Sequence, residues 1–282
     1  MVGVKNAVCV CVYVHVSVLI LAVGFKYITN KNTVFLCRGD TFRREFAHLR
    51  EVNSLIPEGV HTMALTATAT RYSRQKICLT LGMRKPVLIV QPPSRPNIYY
   101  VVYEKTTDLE GTVSNLLNEL RQKRTEMEHT IIFFQRYDDC TRCYLYFRSE
   151  LGPELSHPVG FPNIASLRLC DMFTACVRSE VKDIILKLYR NPTSCLRIIF
   201  ATIAFGMGLD CPNVRHVIHW GVPSDIESYL QETGRAGRDD QPSRATLYFT
   251  GKDFSGLHVE ESMKQYCLLK DGCRTFLLKE GL

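Results

Sequence analysis

The sequence predicts an α/β fold, a mostly parallel sheet with helices on both faces, in which one domain is complete and another is represented in part. Three observations carry this. Strand-like and helix-like stretches alternate in short units with few long polar gaps. The helix-like stretches place apolar residues three and four apart, as in Val113, Leu116, Leu117 and Leu120. Residues 95–250 suffice for a whole domain of this kind, whereas 31–94 are a piece of another.

In chain order, Val60 to Leu65 reads as a short strand that runs into the hydroxyl-rich Thr66-Ala67-Thr68-Ala69-Thr70. Residues 71–82 carry Ile77, Leu79 and Leu81 behind Arg71, Arg74 and Lys76, a helix closed by Gly82. Val87 to Val90 is a strand, 91–97 (QPPSRPN) a proline-rich crossover, and Ile98 to Tyr103 a strand. A helix follows Asp108. Thr130 to Phe134 is a strand, Asp139 to Leu151 a helix, and 152–166 a loop rich in Gly, Pro, Ser and Asn. Ser179 to Tyr189 shows a helical stripe of Val181, Ile184, Ile185 and Leu188. Leu196 to Thr202 and Val214 to Trp220 are strands. Ser224 to Thr233 is a helix with Ser and Asp at its cap. Ala245 to Thr250 is the last strand, and the stretches Leu257 to Tyr266 and Cys273 to Leu278 are helical.

Composition narrows the function classes. With 46% apolar and 22% charged residues, the 282-residue chain is neither collagen-like nor wholly disordered. The net charge is +7, of which residues 31–94 hold +6 while 95–250 stand at −1. A basic segment joined to a neutral one fits a polyanionic partner, and equally a solvated basic surface. Twelve cysteines at irregular spacing do not form a secreted disulfide framework. Cys78 and Cys195 lie in apolar runs and read as buried thiols. Cys140 and Cys143 form a CxxC with no second CxxC downstream to complete a metal site. Ala7 to Phe25 (AVCVCVYVHVSVLILAVGF) stands apart from the rest. Three readings fit it: a signal- or membrane-like leader, a translated GT-rich repeat, and a buried strand. Residues 1–30 are therefore set apart from the fold.

Open α/β sheets place their sites at the carboxyl ends of strands, and three polar clusters are expected there. They are Thr66-Ala67-Thr68, residues 202–210 (TIAFGMGLD) with Gly206 and Gly208, and residues 231–239 (QETGRAGRD). The last is the most specific. Arg235 and Arg238 are three apart and share a face if the preceding helix continues, and Gly234 and Gly237 leave the backbone open to close approach. Two fixed guanidinium groups suit the charge that develops on a transferring phosphoryl group. The plainer alternative is two surface arginines on a turn. The chain contains no P-loop of the GxxxxGKS or GxxxxGKT type to accompany them.

These motifs resemble, in order, those of the RecQ-type DNA helicases of helicase superfamily 2. MALTATAT (63–70) is similar to motif III and TIIFFQRYDDC (130–140) to motif IV. RIIFATIAFGMGLDCPNVRHVIHWGVP (197–223) is similar to motif V and YLQETGRAGRDD (229–240) to motif VI. RPN (95–97) matches the start of the second motor domain. The resemblance covers residues 33–282 and implies a RecA-like helicase motor. Residues 31–94 would be the C-terminal part of the first domain, 95–250 a complete second domain, and 251–282 the truncated start of a zinc-binding subdomain. The departures are informative. The family's P-loop, glutamine motif and DExH box belong upstream and are absent from these residues, as in a partial gene product or an incomplete gene model. The aromatic-rich loop, WGxxFR in the family, reads Arg38-Gly39-Asp40-Thr41-Phe42-Arg43. Of the family's four zinc-ligating cysteines only the first has a counterpart, Cys273, so no zinc is expected here although the complete enzyme carries it.

The activity implied by the resemblance is ATP-dependent 3'-5' unwinding of DNA, with ATP and Mg²⁺ between two RecA-like domains. Arg235 and Arg238 would reach the γ-phosphate, Arg238 as the finger, and Gln231 would position these groups or the attacking water. Gly208 and Asp210 would couple the nucleotide to domain closure, and Thr66 and Thr68 would relay the signal within the first domain. Thr202 and Arg136 would touch DNA from the second domain. Phe42 and Arg43 would do so from the coupling loop, where Phe42 either stacks on a base or fills the core. The implied partners are single-stranded and duplex DNA, ATP and DNA-repair proteins, in the nucleus rather than at a membrane. Without a P-loop or an acidic box, the chain by itself is expected to hydrolyse little ATP. The alternative is a nucleic-acid-binding remnant or regulator with no ATPase activity.

Overall fold

The computed structural model describes residues 8–12, 18–23, 26–31, 62–66, 70–83, 85–90, 95–105, 108–202, 211, 213–255 and 259–280. The chain divides into two units. One comprises Met1–Ser94, Ile226–Gln231 and Cys273–Leu282, the other Arg95–Asp225 and Glu232–Gly272.

The first unit contains β1 (Val8–Val12), β2 (Val18–Val23), β3 (Lys26–Lys31), β4 (Thr62–Thr66), α1 (Arg71–Thr80) and β5 (Pro86–Val90). Its sheet has the order β3-β2-β4-β1-β5. β1 runs parallel to β4 and β5, and β2 antiparallel to β3 and β4. Apolar residues 8–12 and 18–23 thus run as strands. Among the described residues no helix is long and apolar enough to cross a membrane. α1 is capped by Thr70, whose hydroxyl accepts from the Ser73 amide at 3.1 Å. It ends at Gly82, whose φ of +61° lets the chain reverse. Ile77 and Leu81 are buried, whereas Leu79 is exposed. Residues two apart cannot share a helix face, so the expected stripe of three keeps only its outer pair.

The second unit contains β6 (Ile98–Glu104), α2 (Leu109–Lys123), β7 (His129–Phe134), α3 (Tyr137–Leu151), β8 (Cys170–Phe173), α4 (Ser179–Arg190), β9 (Ile198–Thr202) and β10 (Val214–Trp220). There follow α5 (Ile226–Thr233), which lies across the division, then β11 (Ser243–Phe249) and α6 (Glu261–Leu268); α7 (Arg274–Glu280) belongs to the first unit. The sheet order is β6-β11-β10-β7-β9-β8, every pairing parallel. This is the sheet that the alternation of strand and helix predicts.

β7 shows why. All six of its residues are buried. Ile132 and Phe134 pack with Phe200, Ile218 and Trp220 beneath the apolar stripes of α2 and α3. Ile131 and Phe133 face the other way, with Ile199, Ala201 and Val217 against Ile185 and Tyr189 of α4. A strand covered on both faces has no polar side to alternate with. Each of the large side chains among them contributes on the order of 2 kcal/mol by leaving water. α2 begins where Asp108 accepts from the Gly111 amide at 2.9 Å, and Arg121 and Lys123 occupy its last turn, as the helix dipole favours.

Three features depart from the sequence reading. β8 is a strand where none is expected, since Asp171 interrupts its apolar run. Arg168 Nη1 holds that carboxylate at 2.9 Å, and the Met172 amide donates to it at 2.8 Å. α5 starts two residues later than predicted, because Ser224 uses its carbonyl to accept from the Glu260 amide at 2.8 Å. Cys78 and Cys195 are only half-buried, because their neighbours Ile77 and Leu196 take the buried positions. Cys140 and Cys143 are fully buried in α3, and burial pushes the Cys140 thiol up to about 12 and that of Cys143 well above its ordinary value. Such thiols stay protonated and behave as small apolar groups.

Two histidines, His129 buried and His216 half-buried, make the unit sensitive to acid. Burial, and then Arg197, hold His129 down to about 4; burial, and then Arg244, do the same to His216. His216 Nε2 meets the Thr246 hydroxyl at 2.9 Å. In the unfolded chain both titrate near the ordinary value of about 6.5, so the unfolded state takes up protons that the folded state refuses. Stability from these groups is whole above about pH 6.5 and is lost as pH falls toward 4. The thermal midpoint should therefore drop across that window, and a His129→Gln/His216→Gln double variant should drop less steeply. Equal slopes for the two proteins would contradict this.

Candidate functional site

The two arginines singled out by the sequence lie on a turn. α5 ends at Thr233 and residues 234–239 form successive turns, so the expected continuation of the helix does not occur. Gly237 has φ +57° and Asp240 φ +61°, backbone states that stop a helix. The turn is also placed differently from expectation. The Gly237 amide donates at 2.9 Å to the carbonyl of Val214, the first residue of β10. The Ser243 amide, at the start of β11, donates at 2.8 Å to Asn97, which directly precedes β6. The turn therefore sits at the amino ends of these strands and not at their carboxyl ends. The chain leaves β10 at its carboxyl end and is back at the amino ends of the strands by Gly237.

Arg235 is 4% exposed and Arg238 half-buried. Burial, reinforced by Arg238, pushes the Arg235 guanidinium down to about 10. A third guanidinium joins them. Arg95 is 7% exposed, and burial lowers its pKa, with repulsion from Arg238 adding to the effect. Arg95 Nη2 donates to the Ala236 carbonyl at 3.3 Å and, closely, to that of Gly237. Asn97 Nδ2 donates to the Gly237 carbonyl at 2.8 Å and to that of Gln241 at 3.1 Å. Farther round the turn, Arg215 grips the Asp239 carboxylate with both terminal nitrogens, one at 2.9 Å. Guanidinium groups gathered on a turn whose backbone is held in this way make a cationic site suited to phosphate oxygens.

Below the turn, His219 Nε2 and Glu232 Oε2 meet at 2.9 Å, both buried, and Phe133 stacks on the imidazole at 5.4 Å between centroids. Tyr100 hydrogen-bonds Thr233, while burial pushes its hydroxyl up to about 12. Arg95, Asn97, Tyr100 and His219 were not picked out by the sequence reading, and Glu232 only as a member of the cluster 231–239. For the first two a signal was present, since RPN was noted, but only as a domain boundary.

Thr202 and Arg136 share the opposite edge. Thr202, the last residue of β9, is half-buried and pairs in register with Phe134, the last of β7; Arg136 follows two residues on and is exposed. Gln231 is half-buried on α5. Thr66 closes β4 opposite Val12. Thr68, Gly208, Asp210, Phe42 and Arg43 lie outside the described residues. Cys273 is exposed just before α7. Among the described residues no group of three or more His, Cys, Asp or Glu is arranged to hold a metal ion.

Comparison with known proteins adds to this geometry. Residues 111–240 match the family described as helicase conserved C-terminal domain. The chain is 30% identical over 220 residues to the ATP-dependent DNA helicase RecQ of Pasteurella multocida, covering 78% of this chain and 31% of that protein. It is 30% identical over 248 residues to the ATP-dependent DNA helicase Q-like 2 of Arabidopsis thaliana, covering 84% and 32%. The chain thus spans about a third of the length of these relatives. Among solved structures, Mss116p bound to single-stranded RNA and AMP-PNP superposes with a TM-score of 0.60 at 15% identity, over 84% of this chain and 50% of that one. The helicase Lhr of Mycobacterium smegmatis, bound to single-stranded DNA and AMP-PNP, does so with 0.54 at 16%, over 79% and 28%. At such identities the likeness is one of fold.

The turn leaves no room for a side chain at Gly237. A β-carbon there would lie 2.4 Å from Asn97 Nδ2, 2.8 Å from Ser243 Oγ and 2.9 Å from the Gln241 carbonyl, on a backbone of positive φ. Gly237→Ala should lower the unfolding free energy by about 2–3 kcal/mol in urea titration. A loss below about 0.5 kcal/mol, the level of an indifferent surface change, would show that the turn is not held as described.

Proposed function

We propose that this chain, which carries a superfamily-2 helicase core, belongs to an ATP-dependent DNA helicase of RecQ type that translocates 3' to 5' on single strands. In this reading 31–94 close the first RecA-like domain, 95–250 form the second, and 251–282 begin a zinc-binding subdomain. Zinc belongs to the complete family enzyme and is not expected on these residues, which bring a single matching cysteine, Cys273. DNA repair or recombination in the nucleus, with repair proteins as partners, is the setting the family suggests.

The observation that carries the proposal is the turn 234–240, where Arg235 is buried beside Arg238 and a third arginine closes on the backbone between them. Guanidinium groups gathered on one turn suit an anion with several oxygens. The triphosphate of ATP with Mg²⁺ is such an anion, and ATP would supply the free energy for translocation when bound. Arg238, the more accessible of the pair, would stabilise charge on the transferring phosphoryl group, and Arg235 would fix its direction. Gln231, on α5, would orient the attacking water. Gly208 and Asp210, with Thr66 and Thr68, would couple nucleotide state to motion. Single-stranded nucleic acid would run along the other edge, past Thr202 and the exposed Arg136, and past Phe42 and Arg43, held chiefly by its backbone.

Because the 282 residues contain no P-loop, they should bind single-stranded DNA but turn over little ATP by themselves. Arg136→Ala should weaken that binding uniformly across sequences and reduce the salt slope by about one. ATPase assays with and without single-stranded DNA test the rest. Turnover like that of a complete helicase would overturn the expectation of low activity. Salt-sensitive DNA binding that ignores ATP would favour the alternative, a nucleic-acid-binding remnant or regulator, which the missing P-loop also supports.

A further inference from the structure

The segment Arg95-Pro96-Asn97 reads as a boundary between motor domains, but its side chains act on residues some 140 positions away. The Arg95 fork closes on the carbonyls of Ala236 and Gly237, and the Asn97 amide on those of Gly237 and Gln241. The Asn97 carbonyl takes the Ser243 amide, and the Asp240 amide folds back on the Gly237 carbonyl at 3.0 Å. Two of the three peptides between Arg235 and Arg238 are therefore held by side-chain donors from outside the turn, Arg95 and Asn97. The left-handed Gly237, with no room for a β-carbon, lets them approach.

The choice of residue is telling. Neutral donors would satisfy the same carbonyls. A buried guanidinium does so while adding positive charge near Arg238; Asp240 acts favourably on it, and Asp239 is gripped by Arg215. A residue that carries both the fork and the charge fits a turn that meets an anion.

We propose that Arg95 and Asn97 are positioning residues, which set the separation and direction of the Arg235 and Arg238 guanidinium groups toward a polyphosphate without touching it themselves. The proposal rests on the nucleotide reading of the turn. Arg95→Lys keeps the charge and the stem but loses the fork. Asn97→Ala loses both carbonyl contacts.

The test uses the full chain, amide hydrogen exchange, and inorganic tripolyphosphate as the probe. In both variants the amides of Gly237 and Asp240 should exchange at least about tenfold faster, while those of β7 keep their rates. Tripolyphosphate affinity should fall about tenfold, with single-stranded DNA affinity unchanged within about twofold, a split that general loosening of the fold would not give. If Asn97→Ala fails to fold, Arg95→Lys carries the test. Unchanged exchange at the turn, or faster exchange with unchanged tripolyphosphate affinity, would overturn the proposal. A wild-type chain with no affinity for tripolyphosphate would sink the nucleotide reading instead, and the exchange rates would then decide the clamp alone.

Discussion

Bringing three guanidinium groups together at the edge of a sheet is the constraint around which residues 95–100 and 232–243 are arranged. Like charges repel more strongly as water is withdrawn, and Arg95 and Arg235 have little water left. The local structure offsets this in two ways. Backbone carbonyls of Ala236 and Gly237 take the Arg95 hydrogens. Carboxylates act favourably on two of the three, Asp240 on Arg95 and Glu232 on Arg235, while Asp239 pairs with Arg215 on β10 and anchors the loop to the sheet. What remains is a cationic turn whose backbone carbonyls are held by Arg95 and Asn97.

The parallel sheet sets where this surface can be. With every strand of the second unit running the same way, each helix must return the chain to the opposite edge. One edge therefore collects strand ends such as Thr202 and the residues after Phe134. The other collects strand beginnings, and the arginine turn lies among those of β6, β10 and β11. Sites on the two edges can be linked through the sheet between them. His219 lies on β10, stacks on Phe133 of β7, and meets Glu232 at the approach to the turn, so a buried polar contact joins the sheet to the arginine loop.

Much of the fold was legible because its signals are local. The runs that became β7, β9 and β10 are apolar because both faces of the sheet are covered, and the stripe of α2 is apolar because one face of the helix is. β8 escaped notice because Asp171 breaks its pattern; its partner Arg168 is only three residues away, but residue types alone do not say that the two side chains meet. The site divides in the same way. Arg235 and Arg238 stand out by residue type and spacing. Their geometry could not be read, since it depends on φ at Gly237 and on donors far away in the chain. The general rule that sites lie at carboxyl ends of strands misplaced the turn, because that rule follows the loop after a strand and here the loop follows a helix.

The account stands or falls on whether the turn 234–240 faces a terminal phosphate. Photocrosslinking with an ATP analogue carrying its reactive azide on the γ-phosphate, followed by peptide mapping, addresses this directly. The account predicts label on the peptide containing Arg235 and Arg238, competed away by unmodified ATP. Competable label found only elsewhere in the chain, with none on that peptide, would contradict it.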